Sequence, residues 1–239
     1  MTGITGNIYA GLHEFNDMAF LLHFLRSEDT FFDVGANVGS FTLLASGVCK
    51  ASSIALEPAN STFAILNKNI DLNQLQSKVT IVNAAAGAAK GTVTFTSNQD
   101  TTNHVTAECE FNSVDTITVQ VITIDSLAID NWPALIKIDV EGYETEVLNG
   151  MGNTLDQDVL KAIIIELNGS GGRYGYDEEK IHQQLLAKKF KPYTYDPFTR
   201  QINEAGSFGK YNTIYCRDID FIGNRLRQGT GIPIMGEVI

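Results

Sequence analysis

The sequence predicts a doubly wound α/β sheet. Two observations carry that expectation. Short apolar runs alternate with amphipathic helical stretches, and some of those runs, KAIIIELN above all, are apolar almost throughout, as a strand buried on both faces must be. A glycine-bearing loop, FFDVGANVGSF, also stands where the first strand gives way to a helix. In open α/β sheets that is where ligands collect.

The elements follow in order. EFNDMAFLLHFLR reads as a helix, with Phe15, Met18, Leu22 and Leu25 on one stripe. TFFDV is the first strand, SFTLLAS a short helix with Gly47 as its stop, and SSIALEP the second strand, ended by Pro58. NSTFAILNKNIDLNQL is a helix with Asn60 or Ser61 as N-cap and Phe63, Leu66 and Ile70 facing inward. VTIVNAAAG is a third strand. A Thr-rich stretch over residues 91–124 alternates strictly, as half-exposed strands do. ALIKIDV, YETEVLNGM, KAIIIELN and DEEKIHQQLLAKKF continue strand, helix, strand, helix, the last with Ile181, Leu185 and Phe190 inward and His182 on the polar side. KPYTYDP and YNTIYCRD close the sheet. Residues 1–239 read as one domain, with an N-terminal helical segment over 1–28 and a C-terminal extension over 218–239 that carries no assignable pattern.

Composition narrows the function. The 239 residues are 44% hydrophobic and 19% charged, enough for a sizeable core. The net charge of -11 argues against nucleic acid and anionic membranes as partners. Cys49, Cys109 and Cys216 form no paired motif, which points to a reducing cytoplasm rather than a disulfide framework or zinc site. No apolar run spans a bilayer, and MTGITGNIYAG lacks the pattern of a signal peptide.

The glycine loop is not a phosphate loop. Asn37 stands where a dinucleotide fingerprint needs its second glycine, the third is missing, and no G-K-[ST] follows. The acids fit a different ligand. Asp33 at the first strand end suits an ammonium group, and Glu57 at the second suits a ribose cis-diol. An ammonium, a ribose and no phosphate describe S-adenosylmethionine. The plainer alternative is that both acids cap neighbouring backbone. A nucleotide-dependent oxidoreductase, a nucleic-acid methyltransferase and a non-catalytic cofactor-binding protein are the competing functions. The first is disfavoured by the broken fingerprint, the second by the absence of an [ND]PP[YF]-like segment at the fourth strand.

FFDVGANVGSFTLLAS, ALEP, VITIDSLAI, LIKIDVEGYETEVLNGM and IIIELN, in that order, closely resemble the FkbM-type methyltransferases. The match runs from about Tyr9 to Ile165, more loosely to Cys216, and KIDVEG-x-E is its specific part. The resemblance implies a class I, Rossmann-like methyltransferase sheet of seven strands with the last reversed. It also implies S-adenosylmethionine as donor, and O-methylation of a hydroxyl on a sugar or polyketide-type natural product. Carried over by motif, Asp33, Gly35, Ala36, Asn37, Gly39, Glu57 and Pro58 line the cofactor site, with Asp139 at its methyl end.

Methyl transfer to a hydroxyl needs in-line alignment and a destination for the proton. KIDVEGYE places Asp139, Glu141 and Glu144 at the end of the fourth strand, and IIIELN places Glu166 and Asn168 at the end of the fifth. Either Asp139 or Glu166 is a general base, or Asp139, Glu166 and Asn168 hold a hard divalent cation such as Mg²⁺. Lys137 is expected in a structural ion pair and Gly142 in a turn, while Glu144 and Glu146 favour a helix start. His13 and His104 could face the substrate opening, whereas His23 reads as packing. Arg173 and Tyr174, in the Gly-rich NGSGGRYGY, suit a substrate loop.

Overall fold

The computed structural model describes residues 11–96, 103–106, 115–129 and 131–239. In chain order, helix α1 (Phe15–Phe24) precedes β1 (Thr30–Val34), α2 (Ser40–Leu43) leads to β2 (Ser52–Leu56), and α3 (Asn60–Leu72) to β3 (Val79–Val82). Next come β4 (Ala85–Ala86), β5 (Gly91–Thr96), β6 (Thr116–Ile122), α4 (Ile124–Ala128), β7 (Leu135–Ile138), α5 (Glu144–Asn149), α6 (Gly152–Leu155) and β8 (Ala162–Glu166). A 3-10 turn (Ser170–Tyr174), α7 (Glu178–Ala187), β9 (Lys191–Asp196), β10 (Gln201–Glu204), β11 (Asn212–Cys216) and α8 (Ile219–Gln228) follow. The small hairpin of β12 (Pro233–Ile234) and β13 (Glu237–Val238) comes last.

The central sheet has the order β10-β9-β11-β8-β7-β1-β2-β3. β3, β2, β1, β7 and β8 are mutually parallel, and β11 runs antiparallel to both β8 and β9. These are the seven expected strands with the reversed one in place. An eighth, β10, is added at the edge by a tight hairpin from β9, whose Asp196 Oδ1 accepts the Phe198 amide at 3.0 Å. Its sequence QINE has too little apolar character to announce a strand.

Neighbouring residues of the central strands serve opposite faces. Phe31, Leu135 and Ile164 pack with α1, α2 and α8, while Phe32, Ile136, Ile163 and Ile165 pack with α4 to α7. Helices on both faces are why these strands are apolar at most positions, with Asp33 and Lys137 as buried exceptions. β4, β5 and β6 form a separate three-stranded sheet; β6 alternates between exposed and buried positions as expected, whereas β5 passes from exposed Gly91 and Thr92 to buried Phe95 and Thr96 instead of alternating.

Four local readings change. Neither Asn60 nor Ser61 caps α3: the cap position is Ala59, whose amide is taken by Glu57 Oε1 at 2.9 Å. Gly47 does not stop the second helix, which widens into a π-helical turn over Leu44–Val48. His182 is buried, its Nδ1 2.7 Å from the Tyr215 hydroxyl, because α7 lies on β11 with that edge inward. Residues 218–239 supply α8, which buries only Ile222, Gly223 and Leu226, too few apolar positions to stand out in sequence. Arg225 fastens it by pairing with Asp29 and stacking over Phe24, 5.4 Å from the ring centroid.

Candidate active site

The chain leaves β1 towards β2 and β3 on one side and returns to β7 on the other, so the order reverses between β1 and β7. At such a switch point the strand ends leave a crevice. The loop after β1 is stitched to its neighbours: the Gly35 and Ala36 amides both donate to Leu56 O, at 3.1 and 2.8 Å, and the Asp139 amide donates to Val34 O at 2.9 Å. Gly35 has φ +84°, and a Cβ there would lie 1.8 Å from Asp139 O. Glycine is needed at this position because two loops touch through it. Gly39 has φ +92°, but its missing side chain leaves room for Leu66 of α3, 2.6 Å from where a Cβ would be. It shapes the loop from the core side rather than by opening space for a ligand.

Both predicted acids cap backbone and both also face the crevice. Asp33 Oδ2 accepts the Thr42 hydroxyl at 2.6 Å and its amide at 3.1 Å, and burial pushes the carboxyl up to about 6 against the pull of Lys137. Glu57 Oε1 accepts the Ala59 amide and Oε2 the Asn37 amide at 3.0 Å. Burial pushes its carboxyl up to about 7 despite these two donors.

The second cluster sits beside the first. Lys137 is buried in β7, donates to Asp139 Oδ2 at 2.7 Å and lies 4.8 Å from the Phe41 ring centroid. Burial opposes its charge, but Asp139, Glu14 and Asp33 outweigh burial and its pKa is raised. The expected ion pair is therefore present, with Asp139 as partner. Glu166, half-buried at the end of β8, is pushed up to about 8 by burial and by the charges of Asp139 and Glu141. Carboxylate oxygens of Asp139, Glu141 and Glu166 lie within 4.8 Å of one another. Glu144 is spent differently: Oε1 accepts the Val140 and Gly142 amides at 3.2 and 3.1 Å and ties the loop down. Gly142 makes the expected turn, with φ +104°. Asn168 is exposed, and its Oδ1 accepts the Ser170 amide at 2.9 Å.

Two cavities open at the strand ends. The larger, about 710 Å³, is lined by Glu57, Pro58, Ala84–Ala86, Phe95 and Val105 and reaches Asp139, Glu141 and Tyr143. The smaller, about 390 Å³, is lined by His13, Glu14, Asp33, Ser40, Phe41 and Lys137. Gly35, Asn37 and Asp139 border both. One elongated ligand could lie across the loop with an end in each.

The family model described as the Methyltransferase FkbM domain matches residues 33–192. The chain belongs to the FkbM methyltransferase family. Hexuronic acid methyltransferase AglP of Haloferax volcanii is 28% identical over 172 residues, which cover 71% of this chain and 66% of AglP. The fold is shared with a methyltransferase FkbM from Methylobacillus flagellatus KT, with TM-score 0.56 and 18% identity over 81% of this chain and 44% of that one. It is shared also with precorrin 8W decarboxylase of Methanobacterium thermoautotrophicum, at TM-score 0.50 and 14% identity, over 86% and 90% of the two chains. This FkbM chain spans just under two thirds of AglP and under half of the M. flagellatus chain.

On this FkbM domain, Asp33, Gly35, Ala36, Asn37, Glu57, Pro58, Asp139 and Glu166 all gather at one end of the sheet. Of the histidines, His13 borders the smaller cavity and His23 is buried against the Tyr195 hydroxyl at 2.6 Å. His104 is buried, with its amide on Thr96 Oγ1 at 2.9 Å. Sequence reading missed Ala84–Ala86, Phe95, Val105, Glu14 and Tyr143. Only Tyr143, directly after the KIDVEG run, had a signal that could have drawn attention. Among the described residues no helix is long and apolar enough to cross a membrane.

Proposed function

We propose that this domain transfers the methyl group of S-adenosylmethionine to an oxygen of a sugar-type small molecule or glycan. The pair of cavities bordered by Gly35, Asn37 and Asp139 carries the reading. The nucleoside half of the donor suits the larger cavity, with its ribose at Glu57 and its base beside Pro58 and Ala84–Ala86. Each Glu57 oxygen accepts one amide and keeps a lone pair for a ribose hydroxyl. The amino-acid half suits the smaller cavity, where Glu14, Asp33 and Lys137 present both signs of charge to an ammonium and a carboxylate. The sulfonium then lies near Asp139, and the likeness to AglP favours a sugar over a polyketide as acceptor.

Glu166 is the better general base. Asp139 is held by Lys137, whereas the Glu166 carboxylate, raised to about 8, is the stronger proton acceptor and becomes available as pH rises through that value. The closeness of Asp139, Glu141 and Glu166 supports a second reading, in which they share a hard divalent cation such as Mg²⁺. When bound, such an ion would acidify the acceptor hydroxyl. In that set Glu141 takes the place first given to Asn168, whose oxygen already holds an amide. The thiols of Cys49 and Cys216, free of disulfides, support a reducing, cytoplasmic setting.

Labelled methyl transfer to a glucuronic-acid-bearing oligosaccharide tests the activity, and calorimetry with S-adenosylhomocysteine tests the site. Glu166→Gln should lower turnover roughly a hundred-fold or more, the scale of a lost general base, with cofactor affinity kept. With a base alone, EDTA leaves the rate unchanged and the rate rises with pH through about 8. With a shared cation, EDTA silences the enzyme and Mg²⁺ restores it. Wild-type turnover in Glu166→Gln would remove Glu166 from both.

A further inference from the structure

The loop after β8 packs over the loop that follows Asp139. The two backbones approach so closely that a Cβ on Gly142 would lie 2.6 Å from Ser170 O. This contact brings together an aromatic group drawn from both loops. Tyr143 meets Tyr174 edge-on with ring centroids 5.6 Å apart, and Tyr174 meets Tyr176 at 5.6 Å with the rings tilted by 37°. All three rings are half-buried. Tyr143 borders the larger cavity next to Glu141, and the Tyr174 hydroxyl donates to the carbonyl of Val105, another wall of that cavity.

Beside the rings stands Arg173. It is exposed and makes no ion pair or hydrogen bond among the described residues; its guanidinium carbon lies 6.0 Å from the centroid of the Tyr174 ring. Its charge is nevertheless felt at Glu141. In a chain of net charge -11 this guanidinium, whose charge reaches Glu141, forms no ion pair with a carboxylate of the described residues.

We propose that Tyr143, Tyr174, Tyr176 and Arg173 form the acceptor subsite, and that its ligand is a pyranose bearing a carboxylate. This deepens the methyltransferase reading and rests on it. The aromatic faces are electron-rich and attract the polarised C–H bonds of a sugar ring. The guanidinium fork matches a carboxylate, a group that Glu141 and the net negative charge would otherwise repel. Selection of an acidic sugar over a neutral one then comes from a single cation in a negative field.

The test uses the full chain saturated with S-adenosylhomocysteine, titrated with glucuronic acid and separately with glucose, read by saturation-transfer NMR. Glucuronic acid should bind about ten-fold or more tightly than glucose, the scale of one charged hydrogen-bond pair. Arg173→Met should remove that preference, while Arg173→Lys should keep part of it. Tyr176→Ala should weaken both sugars and leave S-adenosylhomocysteine affinity unchanged. Tyr176 is chosen because Tyr174 also holds Val105, so its loss would disturb the cavity wall. An undiminished preference in Arg173→Met, or unchanged sugar binding in Tyr176→Ala, would overturn the subsite. Wild type that binds S-adenosylhomocysteine but neither sugar would overturn the subsite alone. Failure to bind S-adenosylhomocysteine would overturn the underlying reading with it.

Discussion

Replacing Glu57 by glutamine separates charge from shape at the ribose end of the proposed cofactor site. Burial pushes this carboxyl up to about 7, the Ala59 and Asn37 amides only partly offsetting it. Ribose hydroxyls donate, so they need the ionised form. A group titrating at about 7 is about half protonated at pH 7, about nine-tenths at pH 6 and about one-tenth at pH 8. Cofactor binding should therefore release those same fractions of a proton from Glu57. Calorimetry in buffers of different ionisation enthalpy reads the release directly. Asp33 and Glu166 also titrate nearby, so the quantity of interest is wild type minus Glu57→Gln. The variant should bind S-adenosylhomocysteine about ten- to a hundred-fold more weakly, since a hydrogen bond to a charged group contributes roughly 1.5–3 kcal/mol. Glutamine presents an NH₂ where the carboxylate now accepts an amide, so a thermal scan is needed to show that the loop still folds. Equal proton release in the two proteins, with affinities within about two-fold, would show that Glu57 only caps Asn37 and Ala59.

Gly35→Ala would place a Cβ 1.8 Å from Asp139 O, at a φ that L-residues resist. Urea denaturation should show a loss of about 3 kcal/mol or more, together with loss of cofactor binding. Lys137→Met leaves Asp139 unpaired beside Asp33, and the lysine side chain is only 4% exposed. Breaking a buried pair from one side costs about 3–5 kcal/mol, so a shift below about 1 kcal/mol would show that water already screens it. Stability should also fall as pH rises from about 5 to about 8. Burial raises Asp17 and Asp33 to about 6, Glu57 and Glu144 to about 7 and Glu166 to about 8, so the folded chain holds more protons than the unfolded one. The stability they contribute is complete below the unfolded values of 3.8 and 4.5 and is lost as pH climbs through the raised ones. Thermal midpoints of the ligand-free protein at pH 5.5 and 8.5 check this, and a higher midpoint at 8.5 would refute it.

The central sheet and the strand ends that hold the candidate site were legible in residue patterns. Strands buried on both faces must be apolar at nearly every position, and loops at strand ends must carry the glycines and acids that a close ligand needs. TFFDVG, ALEP and KIDVEG could therefore be read without coordinates. Periodicity failed where an element is short or buries little: QINE became the edge strand β10, and residues 218–239 hid α8.

What each site group can do was decided only by tertiary structure, because contacts between residues distant in sequence leave no local pattern. Asp33 and Glu57 turned out to hold Thr42, Asn37 and Ala59 while facing the crevice. Lys137 claims Asp139, which is why the proposed base is Glu166. The register of α7 on β11 turned His182 inward to Tyr215. Gly39 proved to be fitted to Leu66 across the loop. A carboxylate's pKa, and with it its chemistry, is set by burial and by neighbours that arrive from other strands, so composition locates such groups and packing assigns their work.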